Sequence, residues 1–256
     1  MLDLSYKAKI RLYFSGKLSL KNPVKLENKQ VHYLINVMRK KRDDTLLIFN
    51  SVDGEYLAKI SQMYKKYIAL TIVKKIRDVE AETNLWILFA PVKKAPTEYI
   101  IQKATELGAS KIFPVITDRT ITKQINLKRM QDIAIEASEQ CERLTIPEIL
   151  DLKKIKDVIE SWDKKRTILY GDETIRKRDE IKFDFQNLHS KSLGAILIGP
   201  EGGFNNDEIN YLRKKPFIKP IDLGPRILKS DTAVITSLVL WHCLNGNMKK
   251  YTQFNN

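Results

Sequence analysis

The first third of the chain alternates short apolar segments with turn-forming residues. The segments are rich in β-branched and aromatic side chains, which is typical of strands. The predicted strands are residues 10–14, 45–50, 55–60 and 67–73. The dipeptide Asp53-Gly54 separates two of them and is a strong hairpin signal. Residues 31–40 instead repeat their apolar positions at helical spacing. Short strands with one helix predict a small β-barrel.

Beyond an acidic linker at residues 78–84, the pattern changes to longer apolar runs separated by amphipathic segments. The runs predict buried strands and the segments between them predict helices. The predicted strands are residues 85–92, 111–117, 167–171, 194–199 and 217–224; the predicted helices are 97–108, 126–143, 207–215 and a last one from Ser230. Such alternation indicates an α/β fold with a mostly parallel sheet covered on both faces. We therefore predict two domains, residues 1–77 and residues 78–256.

The charge of the chain is concentrated in the predicted barrel. The 256 residues carry a formal net charge of +14, with 43% hydrophobic and 30% charged residues, which is enough to build a packed core. Residues 1–77 contain 17 Lys and Arg against 6 Asp and Glu. This asymmetry favours a polyanionic partner, such as RNA, for the first domain. The alternative is that the number of surface lysines varies without functional meaning.

Several classes of protein are disfavoured by the sequence. No apolar run approaches the roughly 20 residues of a membrane-spanning helix, and the first residues lack the apolar core of a signal peptide. Cys141 and Cys243 lie far apart, which favours free thiols in a reducing cytoplasm. The histidines His32, His189 and His242 lack metal-ligand spacing, so we expect a cytoplasmic protein without a metal site.

Two glycine-containing loops are the strongest candidates for chemistry. In residues 196–204 an apolar strand runs into Gly199-Pro200, and in residues 221–233 another strand runs into Gly224-Pro225. Open parallel sheets bind ligands beyond the carboxyl ends of their strands, so adjacent loops of this kind would line one crevice. The glycine, proline and apolar residues of these loops suit a neutral adenosine that is held by backbone groups and apolar side chains. Neither loop is a phosphate-binding or dinucleotide fingerprint, and a single glycine turn is as often an ordinary strand-to-helix connection.

The two loops, read as IGPEGGF and LGPRILKSDTA, resemble the ribosomal RNA small subunit methyltransferase E family of the SPOUT class. Two further blocks in the middle, QKATELGASKIFPV and EASEQCERLTIPEI, are similar to that family as well. The N-terminal segments IRLYF, HYLINVMRK and DGEYLAKI resemble its PUA-like RNA-binding barrel. The resemblance covers the whole chain, with the blocks in the family's order.

The resemblance implies a function and a fold. Members of this family use S-adenosylmethionine to methylate N3 of one uridine in 16S ribosomal RNA of the small subunit, and they act as homodimers. Their C-terminal domain is a knotted parallel sheet, in which the chain forms a trefoil knot. The resemblance therefore implies residues 1–77 as a PUA-like RNA-binding barrel and residues 78–256 as the methyltransferase domain.

The resemblance also implies roles for individual residues. The expected cofactor-binding residues are Gly171, Leu197, Ile198, Gly199, Pro200, Glu201, Gly202, Gly203, Leu223, Gly224, Ile227 and Leu228. The expected RNA contacts are Arg11, Arg39, Lys93, Lys94, Arg119, Arg143 and Lys229. Lys229 and Asp231 stand where the family usually has Arg and Glu. The charges are kept, but a bidentate guanidinium contact is lost at position 229.

Two residues are candidates for the methyl-transfer chemistry. Arg226 is placed to stabilise negative charge on a uracil carbonyl oxygen, and Glu201 to accept the proton that leaves N3. The alternatives are that Glu201 caps the following helix and that Arg226 belongs to a structural ion pair. Two other functions also fit the sequence: a non-catalytic RNA-binding factor of ribosome assembly, and a SPOUT enzyme that methylates tRNA ribose 2′-hydroxyls.

Overall fold

The computed structural model describes residues 10–80, 82–174, 193–246 and 248. The chain divides into two compact units. The first unit comprises residues 1–81 together with 138–146, and the second comprises residues 82–137 together with 147–256. The grouping of residues 138–146 with the N-terminal part of the chain has no counterpart in the sequence pattern.

The first unit is built on a curled five-stranded sheet that forms a half-barrel. Its strand order is β1-β3-β4-β5-β2, with β1 parallel to β3 and the other pairs antiparallel. The strands are β1 (Arg11–Tyr13), β2 (Val24–Glu27), β3 (Thr45–Asn50), β4 (Gly54–Met63) and β5 (Tyr67–Arg77). Three register shifts between β4 and β5 mark bulges, which increase local twist and help the sheet to curl. The core lies inside this curl and includes Leu26, Leu34, Ile48 and Ile60.

The predicted helix over residues 31–40 is shorter and less regular than its apolar spacing suggested. A single α-turn, α1 (Lys29–His32), continues into a π-helical turn at Tyr33–Val37. The turn closes with a hydrogen bond from the Met38 amide to the Tyr33 carbonyl oxygen, five residues back. Arg39 then adopts a φ of 49°, a left-handed conformation that cannot continue the helix.

The second unit is an α/β sheet in which every strand pairing is parallel, as predicted. The main strand order is β12-β10-β11-β6-β7-β8, and β9 pairs with β7. The strands are β6 (Leu85–Phe89), β7 (Ala109–Ile116), β8 (Glu148–Ile149), β9 (Lys153–Lys154), β10 (Thr167–Gly171), β11 (Gly194–Ile198) and β12 (Ile218–Ile221). The helices are α2 (Lys94–Glu106), α3 (Leu127–Gln140), α4 (Ile155–Glu160), α5 (Asn206–Arg213) and α6 (Ser230–Leu244). The last three residues of α3 fall in the first unit.

Three neighbouring strands of this sheet end at the same edge. β10 lies between β11 and β12, with Tyr170 opposite Leu197 and Gly171 opposite Ile221. Because the three strands are parallel, the turns that follow them meet beyond their carboxyl ends. No helix among the described residues is long and apolar enough to cross a membrane. Across the same ranges, no group of His, Cys, Asp and Glu is arranged to hold a metal ion.

Candidate functional site

A cavity of about 270 Å³ opens at the carboxyl ends of β10, β11 and β12. Both glycine-containing loops contribute to its wall, so the structure brings together the two segments that the sequence singled out. Nine of the twelve expected cofactor-binding residues line it: Gly171, Ile198, Gly199, Pro200, Glu201, Gly203, Leu223, Ile227 and Leu228. Ile227 is 78% exposed at this wall, an apolar surface that a ligand could cover.

The other three expected residues lie outside the cavity wall. Leu197 is fully buried in the core, because successive side chains of a strand point to opposite faces and Ile198 takes the cavity side. Gly202 is exposed and lies beside the Arg119 side chain. A Cβ atom at Gly224 would meet no atom within 4 Å, but its φ of 104° is one that side chains of other residues rarely adopt.

The first loop is anchored at its end by the amino terminus of α5. The Asn205 side chain accepts a hydrogen bond from the Glu208 amide at 2.7 Å, and the Glu208 carboxylate accepts one from the Asn205 amide at 3.0 Å. This capping box satisfies amides that the helix leaves unpaired. Glu208 also accepts a hydrogen bond from the Asp118 amide at 2.8 Å. The cap position is therefore filled by Asn205, and the exposed Glu201 does not cap the helix.

The second loop is tied to the first at the start of α6. The Ser230 hydroxyl donates a hydrogen bond of 3.1 Å to the Gly199 carbonyl oxygen. Arg119 donates another, of 2.7 Å, to the Gly202 carbonyl oxygen. A backbone hydrogen bond also holds the first loop: the Gly203 amide donates to the Pro200 carbonyl oxygen, in a turn where Gly203 has a φ of 67°. Hydrogen bonds within and between the loops thus hold the cavity wall.

The wall that follows β10 depends on residues that the sequence did not single out. Asp172 is 5% exposed and accepts hydrogen bonds from Thr174, from the Tyr170 hydroxyl at 2.9 Å and from Arg213 at 2.7 Å. Burial opposes the charged form of Asp172, but these hydrogen bonds together hold the pKa of its carboxyl below the usual value. Burial raises the pKa of Tyr170 to about 12. In the sequence, the one signal of this network was an acidic residue directly after a predicted strand. Nothing in the sequence linked it to Arg213, which lies 41 residues away.

The two candidate catalytic residues differ in position. Glu201 lines the cavity and is exposed, whereas Arg226 is exposed on the second loop outside the cavity wall. The two aromatic side chains near the first loop also differ. Tyr170 is buried in the core with Phe204 packed edge-on against it at 6.1 Å, and Phe204 itself contributes to the cavity wall.

Two of the expected RNA contacts are buried in the first unit. The Arg11 guanidinium pairs with Glu55 at 2.5 Å and donates a hydrogen bond to the Ser138 carbonyl oxygen at 2.7 Å. Arg143 is equally buried and donates to the Thr145 hydroxyl at 2.9 Å. Arg11 therefore holds residues 138–146 within the unit, whereas the bond of Arg143 lies inside that segment. The burial of both side chains removes them from the surface that RNA could reach. The other five expected contacts are exposed: Arg39, Lys93, Lys94, Arg119 and Lys229.

The chain is similar to known RNA methyltransferases over nearly its whole length. Residues 79–242 match the family described as RNA methyltransferase domain, and residues 26–73 match the RNA methyltransferase PUA domain. A ribosomal RNA small subunit methyltransferase E from Rickettsia conorii is 33% identical over 94% of this chain and 98% of its own length. The protein of that name from Bacillus subtilis is 26% identical, over 83% of this chain and 87% of its own.

Solved structures share the fold. A putative methyltransferase from Legionella pneumophila, in complex with bound S-adenosylmethionine, superposes with a TM-score of 0.77 at 27% identity, covering 91% of this chain and 97% of its own. A ribosomal RNA small subunit methyltransferase E from Neisseria gonorrhoeae, bound to S-adenosylmethionine, superposes with a TM-score of 0.83 at 23% identity, covering 93% and 98%.

Proposed function

Because this chain belongs to the ribosomal RNA small subunit methyltransferase E family, we propose that it uses S-adenosylmethionine to methylate N3 of a uridine in 16S ribosomal RNA of the small subunit. The observation that carries the proposal is the cavity at the carboxyl ends of β10, β11 and β12, walled by the two loops that carry the family's motifs. The shared name of the relatives favours a ribosomal RNA substrate over a tRNA ribose.

The residues of the cavity fit the proposed cofactor. Ile198, Leu223, Ile227 and Leu228 offer apolar contacts to a neutral adenosine, and the loop backbone offers hydrogen-bonding groups. A Cβ atom at Gly171 would lie 3.4 Å from Ile198 and 3.9 Å from Leu223, so glycine leaves room between these two side chains. We propose the nine lining residues identified above as the cofactor-binding set. When bound, S-adenosylmethionine supplies a methyl group that its sulfonium sulfur has already activated.

The protein's own contribution to the chemistry is to orient the uridine and to move one proton. Glu201 is exposed at the cavity and does not cap α5, which supports it as the acceptor of the N3 proton. Arg226, two residues before Leu228 of the cavity wall, is proposed to stabilise the negative charge that develops on a uracil carbonyl oxygen. The hydrogen bonds of the wall keep the two loops in place and so help to position the reacting groups.

Substitution of these two residues tests the assignment. Glu201→Gln and Arg226→Ala should each lower the single-turnover rate of methyl transfer by about 10²-fold or more, as is typical when a general base or a charge-stabilising donor is removed. Affinity for S-adenosylmethionine, measured by calorimetry, should change little for Arg226→Ala. Asp207→Asn is the control, because Asp207 is an exposed carboxylate of α5 outside the cavity wall. Unchanged single-turnover rates for both variants would remove the proposed roles.

The proposal assigns different tasks to the two parts of the chain. Residues 1–77 serve as the RNA-binding domain and residues 78–256 as the methyltransferase domain, with Arg39, Lys93, Lys94, Arg119 and Lys229 as phosphate contacts. The basic excess of residues 1–77 supports this division. We further propose that the protein acts as a homodimer and in the cytoplasm, where its ribosomal substrate is assembled.

A further inference from the structure

The first unit carries a second groove, of about 760 Å³, on the side of β2 and the π-helical turn. One wall is β2 with Lys25, another is the tip of the β4–β5 hairpin with Lys65 and Lys66, and the floor includes Val31 and Ile35. This volume lies within the range of about 300–1,000 Å³ that is typical of ligand pockets. None of the expected RNA contacts lines this groove.

The charge of the groove is suited to phosphate. Three lysines line it against one carboxylate, Glu27, which pairs with Lys25 at 2.6 Å. Lys65 and Lys66 are exposed on the tight hairpin between Tyr64 and Tyr67, which the Tyr64 amide closes by bonding to the Tyr67 carbonyl oxygen at 2.9 Å. Two adjacent ammonium groups at the tip of a tight hairpin can contact successive phosphates of a nucleic acid backbone.

An aromatic stack stands beside these lysines. The rings of Tyr64 and Tyr67 stack at 4.5 Å between centroids with 30° between their planes, and the Lys25 ammonium lies 4.8 Å from the Tyr67 ring centroid. Tyr67 is thereby fixed, while Tyr64 is 47% exposed and presents ring surface to solvent. An exposed tyrosine next to a cationic groove is the arrangement on which unpaired bases stack, whatever their sequence.

The groove also carries polar groups that can contact base edges. Asn28, His32 and Asn36 line it, beside the apolar Val31 and Ile35. Amide side chains both donate and accept hydrogen bonds, as base edges do. Asn28 has a φ of 53°, and the π-helical turn follows it within five residues, so irregular backbone is concentrated at this groove. Such backbone is frequently found at functional sites.

We propose that this groove binds a single-stranded segment of RNA, with phosphates on Lys65 and Lys66 and an unstacked base on Tyr64. The inference rests on the proposed function, because it adds a specific contact to the RNA that the enzyme methylates. A single strand is favoured over a duplex because stacking on Tyr64 requires a base that is free of its own helix.

The test compares two pairs of adjacent exposed lysines. Lys65→Ala/Lys66→Ala removes the hairpin cations, and Lys164→Ala/Lys165→Ala removes an equal charge from a turn of the second unit. Fluorescence anisotropy with a short single-stranded RNA should show at least about tenfold weaker binding for the first pair and little change for the second. The slope of log K against log salt should become less negative by about 1.4 for the first pair, since each phosphate contact of a single strand contributes about −0.7.

Tyr64 provides an independent variant. Tyr64→Ala should weaken binding of the single strand at least about fivefold, whereas Tyr64→Phe, which keeps the ring, should bind like the unaltered protein. A duplex of the same sequence should bind with no dependence on Tyr64. Affinity for S-adenosylmethionine should be unchanged in every variant, and the circular dichroism spectrum should show that the strands of the first unit are kept.

Three results would overturn the inference. The first is binding of the single strand that Lys65→Ala/Lys66→Ala leaves unchanged, and the second is an equal loss of binding in the control pair. The third is a Lys65→Ala/Lys66→Ala protein that no longer methylates small subunits but still binds RNA normally. The last result would indicate a ribosomal protein as the occupant. Failure of the proposed function is a separate observation. In that case the unaltered protein would transfer no methyl group to small subunits, whatever the groove binds.

Discussion

Asp172 is the side chain on which one wall of the cavity depends. It is buried, yet its two carboxylate oxygens receive hydrogen bonds from Tyr170, Thr174 and Arg213. A buried charge is stable only when it is paired and hydrogen-bonded, and this one is. The network fixes the turn that follows β10, and this turn lines the cavity in which the proposed cofactor would lie.

Tyr170 gives this network a dependence on pH. Its pKa is raised to about 12 in the folded protein, against about 10 in an unfolded chain. The folded state therefore favours the protonated hydroxyl; this contribution is complete below pH 10 and is lost as pH rises toward 12. This difference in pKa corresponds to about 2–3 kcal/mol in the free energy of unfolding.

Urea unfolding from pH 9 to pH 12 measures this contribution when the protein is compared with Tyr170→Phe. Above pH 10 the stability of the unaltered protein should fall relative to that of the variant, because phenylalanine has no proton to lose. Parallel stability profiles for the two proteins across this range would contradict the assignment.

At the residue scale, the sequence predicted the glycine and proline positions of the cavity but not its ionic contacts. A cavity glycine such as Gly203, with a φ of 67°, can be recognised in a sequence because glycine adopts this conformation more readily than other residues. The ionic partners of Arg11 and Asp172 cannot be recognised in this way, because Glu55 is 44 residues from Arg11 and Arg213 is 41 residues from Asp172. Pairing over such separations is decided by the fold, and this is why Arg11 was expected at the RNA surface but is buried.

At the element scale, the start of α5 determines how firmly the first loop is held. The side chains of Asn205 and Glu208 each accept a hydrogen bond from the other's amide, and the Glu208 carboxylate also accepts one from the Asp118 amide. Asn205→Ala should lower the free energy of unfolding by about 1 kcal/mol. Glu208→Ala should lower it by about 1 kcal/mol more, because it also removes the hydrogen bond of the Asp118 amide.

Chemical denaturation measures both stability changes, and calorimetry follows the affinity for S-adenosylmethionine. The affinity should fall in both variants, since the loop between Gly199 and Asn205 loses its anchor. Asn210→Ala is the matched control: Asn210 is exposed in the same helix, and alanine is the better helix former. A loss of stability in the control equal to that of Asn205→Ala would show that the cap is not responsible.

Elements with a clear period were predicted well, and irregular ones were not. Each of the five apolar runs in the second unit overlaps a strand, because continuous apolar residues are typical of a buried parallel sheet. The segment at residues 31–40 has helical spacing, but its second half widens into a π-turn and ends before Arg39. Over so short a segment, hydrophobic periodicity does not distinguish an α-helical turn from a π-helical turn.

At the scale of the whole molecule, the strand order is what the sequence could not provide. Periodicity predicts that strands exist, but the order β12-β10-β11-β6-β7-β8 results from how the chain packs. That order places β10 between β11 and β12 and so brings both family loops to one cavity. The trefoil knot was implied by the resemblance alone, and it stays a prediction.

The most direct test of the account is methyl transfer to small ribosomal subunits from cells that lack this gene. Purified protein and S-adenosylmethionine carrying a labelled methyl group are added, and the 16S RNA is digested and analysed by mass spectrometry. The account predicts a single labelled methyl group, on N3 of one uridine. Label on a ribose oxygen, or no transfer by protein that is folded, would contradict it.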